Sequence, residues 1–217
     1  MASKEALAKV PPPPVYPHRL DTTTPLYPHV PDPLPLGGFR ILLALTSAFP
    51  PLRLTGPTEF REPGGEPVYI GSAYIEKGET VMDVRGAFNP NSNGGGGTRW
   101  GLIPCKITPA ITWPVRAPFA EREVHHRGKY ELLPFIPEIM EWVPAKADGS
   151  LPEGRNFVEG GYEKVESANG AVTETKLYHA RAEVEQSMVP GRTAEADKAC
   201  YVAFGDDAVR KTTYDVL

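Results

Sequence analysis

Cysteine is scarce in this chain. Two residues, Cys105 and Cys200, among 217 cannot form a disulfide framework. Neither belongs to a CxxC or a Cys/His cluster, so zinc has no candidate ligand set, and each sits in an apolar, strand-like run where a buried thiol is expected. Basic excess is missing as well: the net charge is −4, which disfavours a nucleic-acid partner. No apolar run is long enough to span a bilayer; Phe39–Phe49 is the most apolar stretch and it carries Arg40. The opening residues, MASKEALAKVPPPP, lack the apolar stretch of a secretory signal, so a cytoplasmic location is expected. GxSxG, Walker and HExxH patterns are absent. The histidines are scattered, and the neighbours His125 and His126 would point to opposite faces of a strand. A catalyst, a cofactor and a metal are therefore not expected.

Proline (25) and glycine (21) are abundant, and both interrupt helices. Residues 1–36 carry Pro11–Pro14 and a spaced set from Pro25 to Pro35. They read as an extended proline-rich arm, a ligand for a proline-recognising module or a strap across the chain's own domain or a partner. From residue 37 onward, short apolar or alternating runs are separated by turn signals such as Pro63-Gly64-Gly65, Asp148-Gly149 and Asn169-Gly170. Candidate strands include Arg40–Leu45, Pro67–Tyr74, Gly101–Ile107, Val115–Phe119, Tyr130–Phe135, Lys176–Glu183 and Ala199–Phe204. One helical turn is expected around Pro137–Glu141. The fold class is therefore all-β, an antiparallel sandwich or barrel. The segment Glu79–Arg99, which contains the Gly-rich run Asn89–Gly97, reads as a tolerated insertion or a flap.

The chain also repeats itself. Copy one, about residues 55–136, contains Arg61-Glu62, Pro67-Val68-Tyr69, Pro104-Cys105-Lys106, Ala117-Pro118-Phe119 and Tyr130-Glu131-Leu132-Leu133. Copy two, about 140–217, answers with Tyr162-Glu163, Lys176-Leu177-Tyr178, Pro190-Gly191-Arg192, Val202-Ala203-Phe204 and Tyr214-Asp215-Val216-Leu217 in the same order. Each copy is too small to cover both faces of its strands, so the copies must pack on each other. A pseudo-two-fold antiparallel β-sandwich is the favoured architecture. Copy two needs an additional loop near Lys164–Ala171 for the acidic residues to align.

The ordered set Gly160-Gly161-Tyr162-Glu163, Leu177-Tyr178 with Arg181-Ala182, Pro190-Gly191-Arg192, Cys200–Gly205 and Tyr214–Leu217 resembles the DM-nine repeat family. Copy one resembles it through Pro67-Val68-Tyr69, Pro104-Cys105-Lys106, Glu123 and Tyr130–Leu133. The resemblance implies a compact β-sandwich lectin that recognises mannose and pairs into homodimers. Relatives fused to a pore-forming domain have a segment for which this chain has no room. It also implies a site built from the acidic residue of the G-G-x-D block and the lysine of P-G-K. Those positions carry Glu163 and Arg192 in copy two, with Glu62 and Lys106 in copy one, and Glu123 matches a further acidic position.

Sugar chemistry agrees with that set. Vicinal hydroxyls both donate and accept, so a site needs a carboxylate beside a cation, and charge assistance strengthens each bond. The competing reading of Glu62 with Lys106, and of Glu163 with Arg192, is an ordinary surface ion pair contributing about 0–1 kcal/mol. The recurring Tyr69, Tyr178, Phe119, Phe204, Tyr130 and Tyr214 read as shared core packing, and Trp100 or Trp113 as core, interface or a stacking platform.

Overall fold

A computed structural model of the chain describes residues 39–83, 85–88 and 97–217; the arm 1–36 and residues 89–96 of the Gly-rich run lie outside the described residues. The first half runs β1 (Ile41–Ala44), α1 (Leu52–Thr55), β2 (Phe60–Arg61), β3 (Pro67–Ile75), β4 (Val81–Asp83), β5 (Gly86–Phe88), β6 (Thr98–Ile107), β7 (Val115–Phe119), β8 (Arg122–His126) and β9 (Lys129–Leu133). The second half runs β10 (Val143–Pro144), β11 (Glu159–Glu166), β12 (Val172–Val184), β13 (Ser187–Thr193), β14 (Cys200–Phe204), β15 (Asp207–Lys211) and β16 (Asp215–Val216). The protein is all-β, and every ladder among the described residues is antiparallel.

The ladders form a ring. From β6 they pass through β11, β12, β13, β14, β15, β8 and β7 and return to β6. The halves are therefore hydrogen-bonded into one barrel-like closed sheet rather than stacked as the two sheets of a sandwich. The narrowest point of the ring is between β15 and β8, which share one residue pair, Asp207 with Arg122. Long β6 makes closure possible: Thr98–Leu102 pair with β11 of the second half, while Lys106 and Ile107 pair with β7 of the first.

The pairing pattern repeats residue for residue. In the first half β2, β3, β6, β7 and β8 pair in succession and β9 returns to β3; in the second half β11, β12, β13, β14 and β15 do so and β16 returns to β12. Ile70 faces Lys106 as His179 faces Arg192, and Gly71 faces Leu132 as Ala180 faces Val216. Phe119 faces Arg122 as Phe204 faces Asp207. Each half has its own apolar cluster: Ile103, Ile107, Phe119 and Leu132 in the first, Ala180, Val202 and Val216 in the second. A third cluster joins them, with Phe60, Val68 and Leu133 from one half against Leu217 from the other. Burial of each large apolar side chain contributes about 1.5–3 kcal/mol. Both cysteines are buried and free, and burial pushes their thiols well up.

One local expectation changes and another is met. The segment expected as a loop at Lys164–Ala171 is the end of β11, a tight turn at Ser167–Gly170 and the approach to β12. The single helical turn expected around Pro137–Glu141 is present, closed by Met140 N–H donating to Ile136 O at 2.9 Å; the short helix α1 lies elsewhere. Two hairpins turn without glycine or asparagine: Ala120-Glu121 (φ 50°, 64°) between β7 and β8, and Glu185-Gln186 (φ 48°, 66°) between β12 and β13. Two consecutive left-handed residues suit the twist of a hairpin, but each costs a side chain about 1–2 kcal/mol. The register-equivalent of Ala120-Glu121 is Gly205-Asp206, which meets the same need with a glycine first. Replacing Ala120→Gly should therefore stabilise the fold by about 0.5–1 kcal/mol, read from urea midpoints.

Strand β1 is tied to the second half by Arg40, whose Nη1 donates to His179 Nε2 at 2.8 Å. A guanidinium only donates, so the buried His179 ring accepts at Nε2 and is neutral. Burial, then the nearby Arg40 charge, hold its pKa well below 6.5. The unfolded chain thus takes up a proton near pH 6.5 that the folded chain refuses, and stability falls as pH drops below that value. His179→Gln should flatten the loss of the urea midpoint between about pH 7 and about pH 5.

Candidate functional site

Lys106 of β6 and Arg116 of β7 are directly opposite each other in the ladder. Like charges so placed repel, and Lys106 is only 2% exposed. Two carboxylates resolve the conflict. Glu62, just past β2, reaches Lys106 Nζ at 3.6 Å and Arg116 Nη2 at 2.9 Å. Glu123 of β8 reaches the same two cations at 3.6 and 3.1 Å. Glu62 also accepts from Thr108 Oγ1 at 2.9 Å, and Glu123 Oε2 accepts from the backbone N–H of Asp206 at 3.1 Å. Burial lowers the Lys106 pKa, Glu123 opposing this and Arg116 adding to it. The Phe204 ring lies 5.8 Å from Nζ.

The second cluster occupies the equivalent place in the other half. Glu163 of β11 lies 3.5 Å from Arg192 Nη2 of β13 and accepts from Arg99 Nη1 of β6 at 3.1 Å. Arg192 Nη1 lies 3.3 Å from Asp197, its Nε donates to Pro118 O at 3.2 Å, and its guanidinium covers the Tyr201 ring at 4.9 Å. Burial raises the Asp197 pKa, with Arg192 pulling against it. By ladder register Tyr201 stands where the first half has Arg116, and Ala208 where it has Glu123. Each cluster is completed from the other half: Asp206 and Phe204 in the first, Arg99 and Pro118 O in the second.

Residues 171–217 match the family model of the DM9 repeat. Over these residues the chain is similar to that repeat. The matched stretch contains Arg192 and Tyr201, with Glu163 just ahead of it. The DM9 repeat is of a carbohydrate-binding type rather than a catalytic one. No curated protein matches the chain.

All five residues singled out from sequence lie in the two clusters: Glu62, Lys106 and Glu123 in the first, Glu163 and Arg192, from the DM9 repeat and its approach, in the second. The acid and cation that sequence placed together do not frame an open pocket at Lys106. The cleft against Glu62, Pro190 and Phe204 measures about 10 Å³, room for one water at most. Sequence reading missed Arg116, Arg99, Asp197 and Tyr201. Arg116 carried a usable signal, a lone charge inside the apolar run Val115–Phe119; Arg99 and Asp197 carried none, because strand crossing and a loop bring them in. Trp100 and Trp113 pack otherwise: Lys77 lies over Trp100, and Trp113 stacks with His125 and lies against the Arg127 guanidinium. Removing a partner from a buried charge set leaves an uncompensated ion. Glu123→Gln is accordingly expected to lower unfolding stability by about 3 kcal/mol, whereas the same change at the exposed Glu174 should cost less than about 1 kcal/mol; chemical denaturation compares the two.

Proposed function

We propose that this protein is a non-catalytic, lectin-like carbohydrate-binding protein with two related sites, one at each charge cluster, taking mannose-type sugars. The observation that carries the reading is the recurrence of one acid and one cation at the same ladder positions, Glu62 with Lys106 and Glu163 with Arg192, the second pair at the DM9 repeat. A carboxylate held against a donor cation is the arrangement that a pair of vicinal hydroxyls can bridge. The second cluster is the more open. The Arg99 side chain is 36% exposed against 3% for Lys106, and half-buried Tyr201 adds an aromatic ring beside Arg192. A sugar there would accept from Arg99 and Arg192 and donate to Glu163. The residues differ from the family pattern by one methylene at Glu163 and by a planar fork at Arg192 in place of a compact ammonium. Pairing of two chains would raise avidity by presenting several sites at once.

Calorimetric titration with mannose, glucose and galactose tests this reading. Wild type should bind mannose. Arg192→Ala should weaken binding about tenfold or more, equivalent to about 1.4 kcal/mol, with its melting temperature recorded as a fold control. The double change Glu163→Asp with Arg192→Lys should retain binding. Absence of any sugar response in the wild-type chain, or a response indifferent to Arg192→Ala, would overturn it.

A further inference from the structure

A cavity of about 530 Å³ lies apart from both clusters, at the third apolar cluster where the halves meet. Its volume falls in the range of small-molecule sites, about 300–1,000 Å³. Phe60, Tyr69, Ile70, Leu133, Phe135 and Trp142 supply its apolar wall. Trp142 already has close neighbours: Phe135 stacks on it at 6.3 Å and 11°, Phe60 meets it edge-on at 5.8 Å, and the Arg181 guanidinium sits 4.8 Å from its ring centroid. The hydroxyls of Thr55 and Thr58 donate to backbone carbonyls of Leu52, Gly56 and Val68. The wall therefore suits an apolar body better than a polyol.

Among the described residues the cavity has one cation, and two carboxylates hold it unequally. Arg181 Nε donates to Asp215 Oδ2 at 2.8 Å, and Asp215 is 20% exposed. Arg181 Nη1 binds Glu59, whose side chain is 56% exposed. Asp215 and Trp142 thus fix the guanidinium from within, and Glu59 occupies its outer edge as a solvent-facing carboxylate on a cavity-lining arginine. A planar guanidinium matches a carboxylate in shape as well as charge. The ladder-equivalent of Arg181 in the first half is Ser72, which donates to Gly160 O, so the second half alone supplies this cation.

We propose that the cavity binds an amphiphilic monocarboxylate, whose apolar or aromatic body fills the wall of Phe60, Tyr69, Phe135 and Leu133 and whose carboxylate replaces Glu59 on Arg181. The site is independent of the two charge clusters, and its ligand is distinct from the sugar proposed for them.

Titration of the full chain with 2-naphthoate and with dodecanoate, read by calorimetry and by tryptophan fluorescence, tests the proposal. Both carboxylates should bind, and uncharged 2-naphthamide should bind about tenfold or more weakly, the range set by a charge-assisted hydrogen bond. Exposed Glu59→Gln leaves the fold intact and removes the competing carboxylate, so it should tighten 2-naphthoate several-fold; Arg181→Gln should weaken it about tenfold or more. Mannose affinity should be the same with and without saturating 2-naphthoate. Failure of either carboxylate to bind, equal binding of the amide, indifference to Glu59→Gln, or displacement of 2-naphthoate by mannose would each overturn it. So would binding of a proline-rich peptide without any response to carboxylates. Failure of sugar binding alone would leave this proposal standing and overturn only the lectin reading.

Discussion

Two cations that face each other across a ladder, with Lys106 withdrawn from water, are the constraint around which the first half is arranged. Lys106 and Arg116 can be buried together only if negative charge reaches both, and Glu62 and Glu123 each do so. One carboxylate follows β2 and the other belongs to β8, so charge balance ties strands that share no ladder. Asp206 of the second half donates its backbone N–H to Glu123, and the bond extends the tie across the molecule. Arg116 Nε is buried without a hydrogen-bond partner, so the set relies on its ion pairs, and removing any one of them would leave a buried charge uncompensated.

The second half solves the same placement differently. Tyr201 and Ala208 replace Arg116 and Glu123, so two charges are lost from the ladder positions. Arg99 and Asp197 come in from a strand of the other half and from a loop. Both sets remain balanced, but the second keeps a more open cation and an aromatic ring at its edge. Equivalent backbone positions thus carry sites of unequal access, and the DM9 repeat lies on the more open one.

A good part of this was legible in the chain. The all-β class followed from proline, glycine and short alternating runs. The order of blocks in residues 60–133 and 161–217 anticipated ladders that agree residue for residue, because register follows the alternation of buried and exposed positions. The pairs Glu62–Lys106 and Glu163–Arg192 were legible for the same reason. The hairpins at Ala120-Glu121 and Glu185-Gln186 were not, since neither contains the residues that favour left-handed backbone. Ring closure was not either, because the crossing of β6 from one half to the other is a long-range pairing without a local signature. Nor was the cavity at Trp142, which exists only where Arg181, Phe60 and Phe135 converge.

The sequence by itself determined the strand class, the repeat, the position of each acid and cation along its strand, and the burial of both cysteines, since these follow from local alternation and residue chemistry. Tertiary structure alone decided that the sheet closes, that each charge cluster borrows groups from the opposite half, and that Glu62 and Glu163 are ion-paired instead of lining open pockets. The physical reason is that charge compensation and cavity shape depend on distances between residues far apart in the chain, and those distances are set by packing.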